Sequence, residues 1–129
     1  MGSPIRPRAK ILIVDDNLDD LRWLGSILER HGYKVEASCS FEEGAARAGA
    51  GHYDFVVASQ GGPNFEGQAV VKRATELDRH TPVLVVTRCI EMQCYLEAMQ
   101  LGALDYLEMP VPADFLLREI EAHLHQLAA

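Results

Sequence analysis

Short apolar runs alternate with segments of helical periodicity along almost the whole chain. Residues 10–14 (KILIV) are the first such run, and their length and β-branching predict a strand buried on both faces. Leu21, Leu24, Ile27 and Leu28 then recur at helical spacing up to His31, and Gly32 stands where a helix stop is expected. The alternation continues with a strand over 34–39, a short Ala-rich helix over 41–49, a strand over 55–58 and a helix over 66–77. A strand over 82–86, a helix over 91–101, a strand over 104–107 and a helix over 113–127 complete the pattern. The breaker-rich loop 59–64 follows the third strand, and Pro110 and Pro112 interrupt the chain before its last helix.

Strands that alternate with helices over short connections predict a parallel sheet covered on both faces by right-handed crossovers. For five βα units the doubly wound strand order 2-1-3-4-5 is the natural arrangement. One domain over 10–127 accommodates all of it, and an N-terminal arm over 1–9, with Pro4, Pro7, Arg6 and Arg8, precedes it as a solvated tail. Ligand sites in such sheets lie beyond the carboxyl ends of the strands, so the residues just past each apolar run are where chemistry is expected.

Asp15 and Asp16 end the first strand, where two carboxylates can aim at one hard cation or cap the following helix, a task also open to Asn17. Thr87 ends the fourth strand with a hydroxyl able to hydrogen-bond a phosphoryl oxygen, although hydroxyls are common at strand ends. The fifth strand carries Tyr106, with Met109-Pro110 just beyond it.

Composition narrows the function classes. A formal charge of −7 argues against direct nucleic-acid or anionic-membrane binding by this domain, because phosphate affinity needs a basic patch. No apolar run approaches the length of a membrane span, and no secretion signal opens the chain, so a cytoplasmic location is expected. Cys39, Cys89 and Cys94 make an odd set without a CxxC pair, pointing to reduced thiols and not to a disulfide framework or zinc site.

In this order and spacing, KILIVDDN at 10–17, HYDFVVAS at 52–59, Pro63 followed by Gly67, TPVLVVT at 81–87 and GALDYLEMP at 102–110 resemble a response-regulator receiver domain over residues 9–127. The resemblance implies a flavodoxin-like fold and a phosphorelay signalling module, not an enzyme. It implies as partners a histidine kinase, another signalling protein or an output domain. In that family an aspartate after the third strand takes a phosphoryl group, an acidic cluster holds magnesium, and a threonine and a lysine read the phosphate. Here Asp15 and Asp16, with a carbonyl near Gly61, match the magnesium site; Thr87 matches the hydroxyl sensor and Tyr106 the switch aromatic.

Two departures fall on the central chemistry. The phosphoacceptor position is Ser59, and the lysine position, fixed by the following proline, is Met109. A carboxylate attacks phosphorus already ionised, whereas a serine hydroxyl needs a base. The nearest bases, Asp15 and Asp16, would have ordinary pKa values near 4 and serve poorly. Met109 cannot pair with phosphate as an ammonium would. The paired change leaves the formal charge of the quartet the same, as expected of a naturally diverged receiver that acts through protein–protein contact. The alternative is a working relay that uses a bound ligand or another acceptor; Asp54 and Glu66 qualify by composition, but neither falls at the strand tip. Magnesium is expected to bind weakly or not at all with one carboxylate gone. Arg88 is expected either to fold over the site and pair with Asp15 or Asp16, or to be solvated.

A serine nucleophile without a histidine partner argues against a phosphatase or nucleotide hydrolase on the same fold. The sequence predicts His31, His52 and His80 at turns and offers no partner motif for them, and His123 and His125 do not share a helix face. The family uses the fourth helix, fifth strand and fifth helix for dimer or output contacts; here that face would include Tyr95, Leu96, Met99, Asp105, Tyr106 and Leu117. Both a stand-alone regulator and the receiver portion of a longer protein fit the sequence.

Overall fold

The computed structural model describes residues 9–76 and 81–128, with side chains to residue 124. Residues 1–8 of the expected N-terminal arm lie outside the described residues, as do Leu77, His80 and the side chain of His125. Strands β1 (Lys10–Val14), β2 (Lys34–Ser38), β3 (Phe55–Ser59), β4 (Val83–Thr87) and β5 (Asp105–Glu108) alternate with helices α1 (Leu18–Arg30), α2 (Phe41–Ala50), α3 (Gln68–Glu76), α4 (Met92–Gln100) and α5 (Ala113–Ala128). All adjacent pairs are parallel, in the expected order β2-β1-β3-β4-β5.

The period of two along each strand divides the core into two layers. Ile11, Ile13, Phe55, Val57, Leu84 and Val86 point to one face, where Leu24 and Leu28 of α1 and Leu116 and Ile120 of α5 cover them. Leu12, Val14, Val56, Ala58, Val83 and Val85 point to the other, beneath Ala45 and Ala48 of α2, Val70 and Ala74 of α3 and Ala98 of α4. Small residues on α2 let it approach closely: a Cβ on Gly44 would stand 2.6 Å from the Val14 methyls.

Element boundaries moved where side chains close loops. The helix expected from residue 66 begins at Gln68, because Glu66 turns back and its Oε1 accepts the Gly62 N–H at 2.6 Å. The Gly67 N–H is spent on the Gln60 carbonyl at 3.0 Å. A Cβ on Gly67 would lie 1.9 Å from the Ser59 carbonyl oxygen, so only glycine lets α3 start against the tip of β3. Phe65, just before it, is buried at a φ of 53°, a conformation bulky side chains rarely adopt. The fifth strand runs one residue later than expected, in register with β4 through Thr87 opposite Glu108. His31, expected without a partner, lies 3.7 Å from Glu121 on α5 and 5.5 Å, ring to ring, from Tyr33.

Candidate functional site

The carboxyl ends of β1, β3 and β4 open into a cleft of about 150 Å³ lined by Asp15, Asp16, Asn17, Asp20, Ser59, Gly61, Val86, Thr87, Arg88 and Met109. The sequence-predicted residues Asp15, Asp16, Ser59, Gly61, Thr87, Arg88 and Met109 therefore converge, and Tyr106 stands behind them on β5.

Asp15 is 2% exposed, and its Oδ1 accepts the Asn17 N–H at 2.9 Å. Asn17 in turn is the helix cap, its side chain accepting the Asp20 N–H at 3.0 Å. Burial pushes the Asp15 carboxyl up to about 6, with Asp20 and Asp16 adding repulsion; the Asn17 N–H and the Ser59 hydroxyl pull the other way. This corrects the expectation of an ordinary carboxylate: the group beside Ser59 is a stronger base than a free aspartate. The Ser59 oxygen also accepts the Gly61 N–H at 3.0 Å, an arrangement that draws Gly61 into a left-handed φ of 84°.

Arg88 is 55% exposed, as the solvated alternative expects, yet it pairs with Asp20 and with neither Asp15 nor Asp16. Its Nε lies 2.7 Å from Oδ2 and its Nη2 bonds Oδ1, a bidentate grip on a carboxylate that is itself buried. The correction is geometric: Asp20 sits on the first turn of α1, and Asn17 capping swings that turn over the cleft. The guanidinium is held in its charged state by Asp20 first, then by Asp15 and Asp19. Asp20 was missed in the sequence because it reads as one of two first-turn acids that favour any helix N-terminus.

Thr87 lines the cleft and is hydrogen-bonded locally. Its hydroxyl donates to the Cys89 carbonyl at 2.9 Å and accepts the Cys89 N–H at 3.0 Å, closing a local turn. Met109 is 6% exposed and packs with the α1/α5 layer while its edge lines the cleft. The Met109-Pro110 peptide bond is cis.

For magnesium, the cleft offers a mixed donor set. It wants hard oxygens in near-octahedral geometry. Both Asp20 oxygens are engaged by Arg88, the Met109 thioether is soft, and Ser59 offers a neutral oxygen. Asp15, Asp16 and the Gly61 carbonyl remain. Among the described residues no group of three or more His, Cys, Asp or Glu side chains is arranged to hold a metal ion.

Residues 11–121 match the family model of the response regulator receiver domain. The chain belongs to this family. The receiver is 30% identical over 128 residues to the transcriptional regulatory protein ZraR of Salmonella typhimurium, covering 97% of this chain and 29% of ZraR. It is 32% identical over 119 residues to the transcriptional regulatory protein YkoG of Bacillus subtilis, covering 92% of this chain and 52% of YkoG. The receiver thus spans at most about half the length of these curated relatives. A CheY-like receiver domain protein from Methanospirillum hungatei superposes with a TM-score of 0.85 at 28% identity, covering 93% of this chain and 96% of that one. Receivers of this kind are signalling modules of two-component systems. No helix among the described residues is long and apolar enough to cross a membrane.

Sequence reasoning also missed Gln60. Read as the second residue of a polar loop, it is 1% exposed and among the largest fully buried side chains. Its amide donates to the Gly62 carbonyl at 3.1 Å and accepts the Tyr106 hydroxyl. Nothing in periodicity signals a buried glutamine.

Proposed function

We propose that this receiver signals by protein–protein contact and no longer depends on aspartyl phosphorylation. The observation that carries the reading is the state of the third strand's tip: Ser59 stands where a carboxylate would attack, its hydroxyl engaged between Asp15 and the Gly61 N–H. Three neighbours support it. Met109 is buried as an apolar side chain, Thr87 is occupied by Cys89, and Arg88 supplies a built-in cation through Asp20. Magnesium binding is weak or absent on this reading, since a neutral serine hydroxyl stands where the family's acidic cluster has a third carboxylate.

The partner is a histidine kinase, another signalling protein or an output domain, met in the cytoplasm without direct nucleic-acid contact by this acidic domain. Tyr95, Leu96 and Met99 are exposed on α4 beside the half-buried Asp105 and Tyr106 of β5, a face suited to such contacts or to a homodimer. Leu117 packs against the α1/α5 layer and contributes less.

A second reading, a relay with an unconventional acceptor, has one observation in its favour. Asp15, with its raised pKa, touches Ser59 and supplies the base a serine needs. The other acceptors fit less well: Asp54 lies before β3, at the opposite end of the sheet, where it accepts the Lys10 N–H at 2.8 Å, and Glu66 is tied to Gly62. Intact mass after incubation with a small phosphodonor and magnesium separates the readings, with Ser59→Asp/Met109→Lys as control. An adduct on the control alone supports the contact module. An adduct on the unmodified chain overturns it, and stability to hydroxylamine then identifies a serine ester.

A further inference from the structure

The tip of β3 and the face of α4 are joined by side chains that the phosphate-reading pair does not use. The Tyr106 hydroxyl donates to the Gln60 Oε1 and accepts the Glu91 N–H at 3.0 Å, just before α4 begins. Gln60 Nε2 is anchored on the Gly62 carbonyl at 3.1 Å, which fixes the amide's orientation and points its oxygen at Tyr106. The Gln60 main-chain N–H is held by the Val86 carbonyl at 2.8 Å, so the residue cannot swing away from the sheet. On the far side of Tyr106, the Tyr95 ring of α4 packs edge-on at 5.6 Å and 71°. Tyr95 leads to the exposed apolar residues Met92, Leu96 and Met99. Thr87, meanwhile, is closed on Cys89.

A buried amide is costly unless both its donor and acceptor are used, and here both are. The ring cannot turn outward without stranding the Gln60 oxygen and the Glu91 N–H together. We infer that Gln60 is a positioning residue that holds Tyr106 inward and so fixes the α4–β5 face in one conformation, whatever the state of the cleft. Its functional sense rests on the reading of that face as the docking surface, but the latch itself is a property of the chain alone. The phosphodonor experiment tests that reading separately.

The test is nuclear magnetic resonance of the whole chain with fluorine-labelled tyrosine, combined with amide exchange at Glu91. The unmodified chain is expected to give one Tyr106 resonance and a protected Glu91 amide. Gln60→Met keeps the volume and removes the acceptor. Its Tyr106 resonance should move or split, Tyr95 should shift with it, and Glu91 should exchange at least about tenfold faster, while amides of Val57 and Val85 keep their protection. Unchanged Tyr106 and Glu91 signals would overturn the proposal, since packing alone would then hold the ring. Should Gln60→Met lose protection throughout the core, Tyr106→Phe decides instead. It keeps the ring and deletes the hydroxyl; a shifted or split Tyr95 resonance supports the latch, whereas an unaltered Tyr95 resonance overturns it.

Discussion

Both ends of the sheet carry a knot of charged side chains, and the two are built on opposite principles. At the amino ends of the strands one carboxylate is surrounded by donors. Glu36 takes Lys10 at 3.0 Å, Arg47 at 3.3 Å and the Tyr53 hydroxyl at 2.6 Å, while Lys10 lies 5.1 Å from the Tyr53 ring centre. The Tyr53 and Lys10 hydrogen bonds draw the Glu36 carboxyl below its ordinary range. At the carboxyl ends Asp15, Asp16 and Asp20 line one cleft whose arginine pairs with Asp20 alone, and Asp15 is pushed up to about 6, chiefly by burial. The first knot is satisfied and ties β1, β2 and α2 together. The second is held short of cations, the kind of electrostatic imbalance that clusters at functional sites.

The largest effect that would sharpen this contrast comes from Asp15→Asn. The folded pKa of Asp15 lies above its unfolded value near 4, so above pH 6 the ionised group works against the fold. As pH falls from 6 toward 4 the folded state takes up the proton first and stability from this residue rises. Neutralising it should raise stability at pH 7.5 by roughly 2 kcal/mol in urea unfolding and flatten that slope. A destabilised variant would break the comparison. Glu36 has the opposite sign: its contribution is present above its unfolded pKa and fades as pH drops through its lowered folded value.

Next in size is Arg88→Ala. Removing the only cation at the cleft among the described residues frees both Asp20 oxygens, and magnesium affinity by calorimetric titration should rise on the order of tenfold. No increase over the unmodified chain would mean that Arg88 does not stand in for a metal. The smallest effect is expected at the satisfied end: Glu36→Gln should lower stability by about 0.5–1 kcal/mol, and less in high salt, because this pair is partly solvated. A loss as large as the gain in Asp15→Asn would erase the distinction between the two ends.

The fold was legible because buried parallel strands read as unbroken apolar runs, and β1, β3 and β4 are of that kind. The residues of the cleft were legible because they stand one step beyond those runs. What the sequence hid was pairing. Arg88 and Asp20 are 68 positions apart, Gln60 and Tyr106 46, and no local period links either pair. The raised pKa of Asp15 was hidden for the same reason, since it depends on how deeply the first strand's tip is enclosed. Boundaries shifted at Glu66 because a side chain that looks helical serves the preceding loop.

Gly67, pressed against the carbonyl of Ser59, gives the tip of β3 a durability of its own. The helix after it can begin nowhere else, so the atom presented at position 59 keeps its address whichever side chain is attached. The backbone of the cleft is thus set by a glycine seated on a carbonyl, independently of the side chain that the strand tip carries.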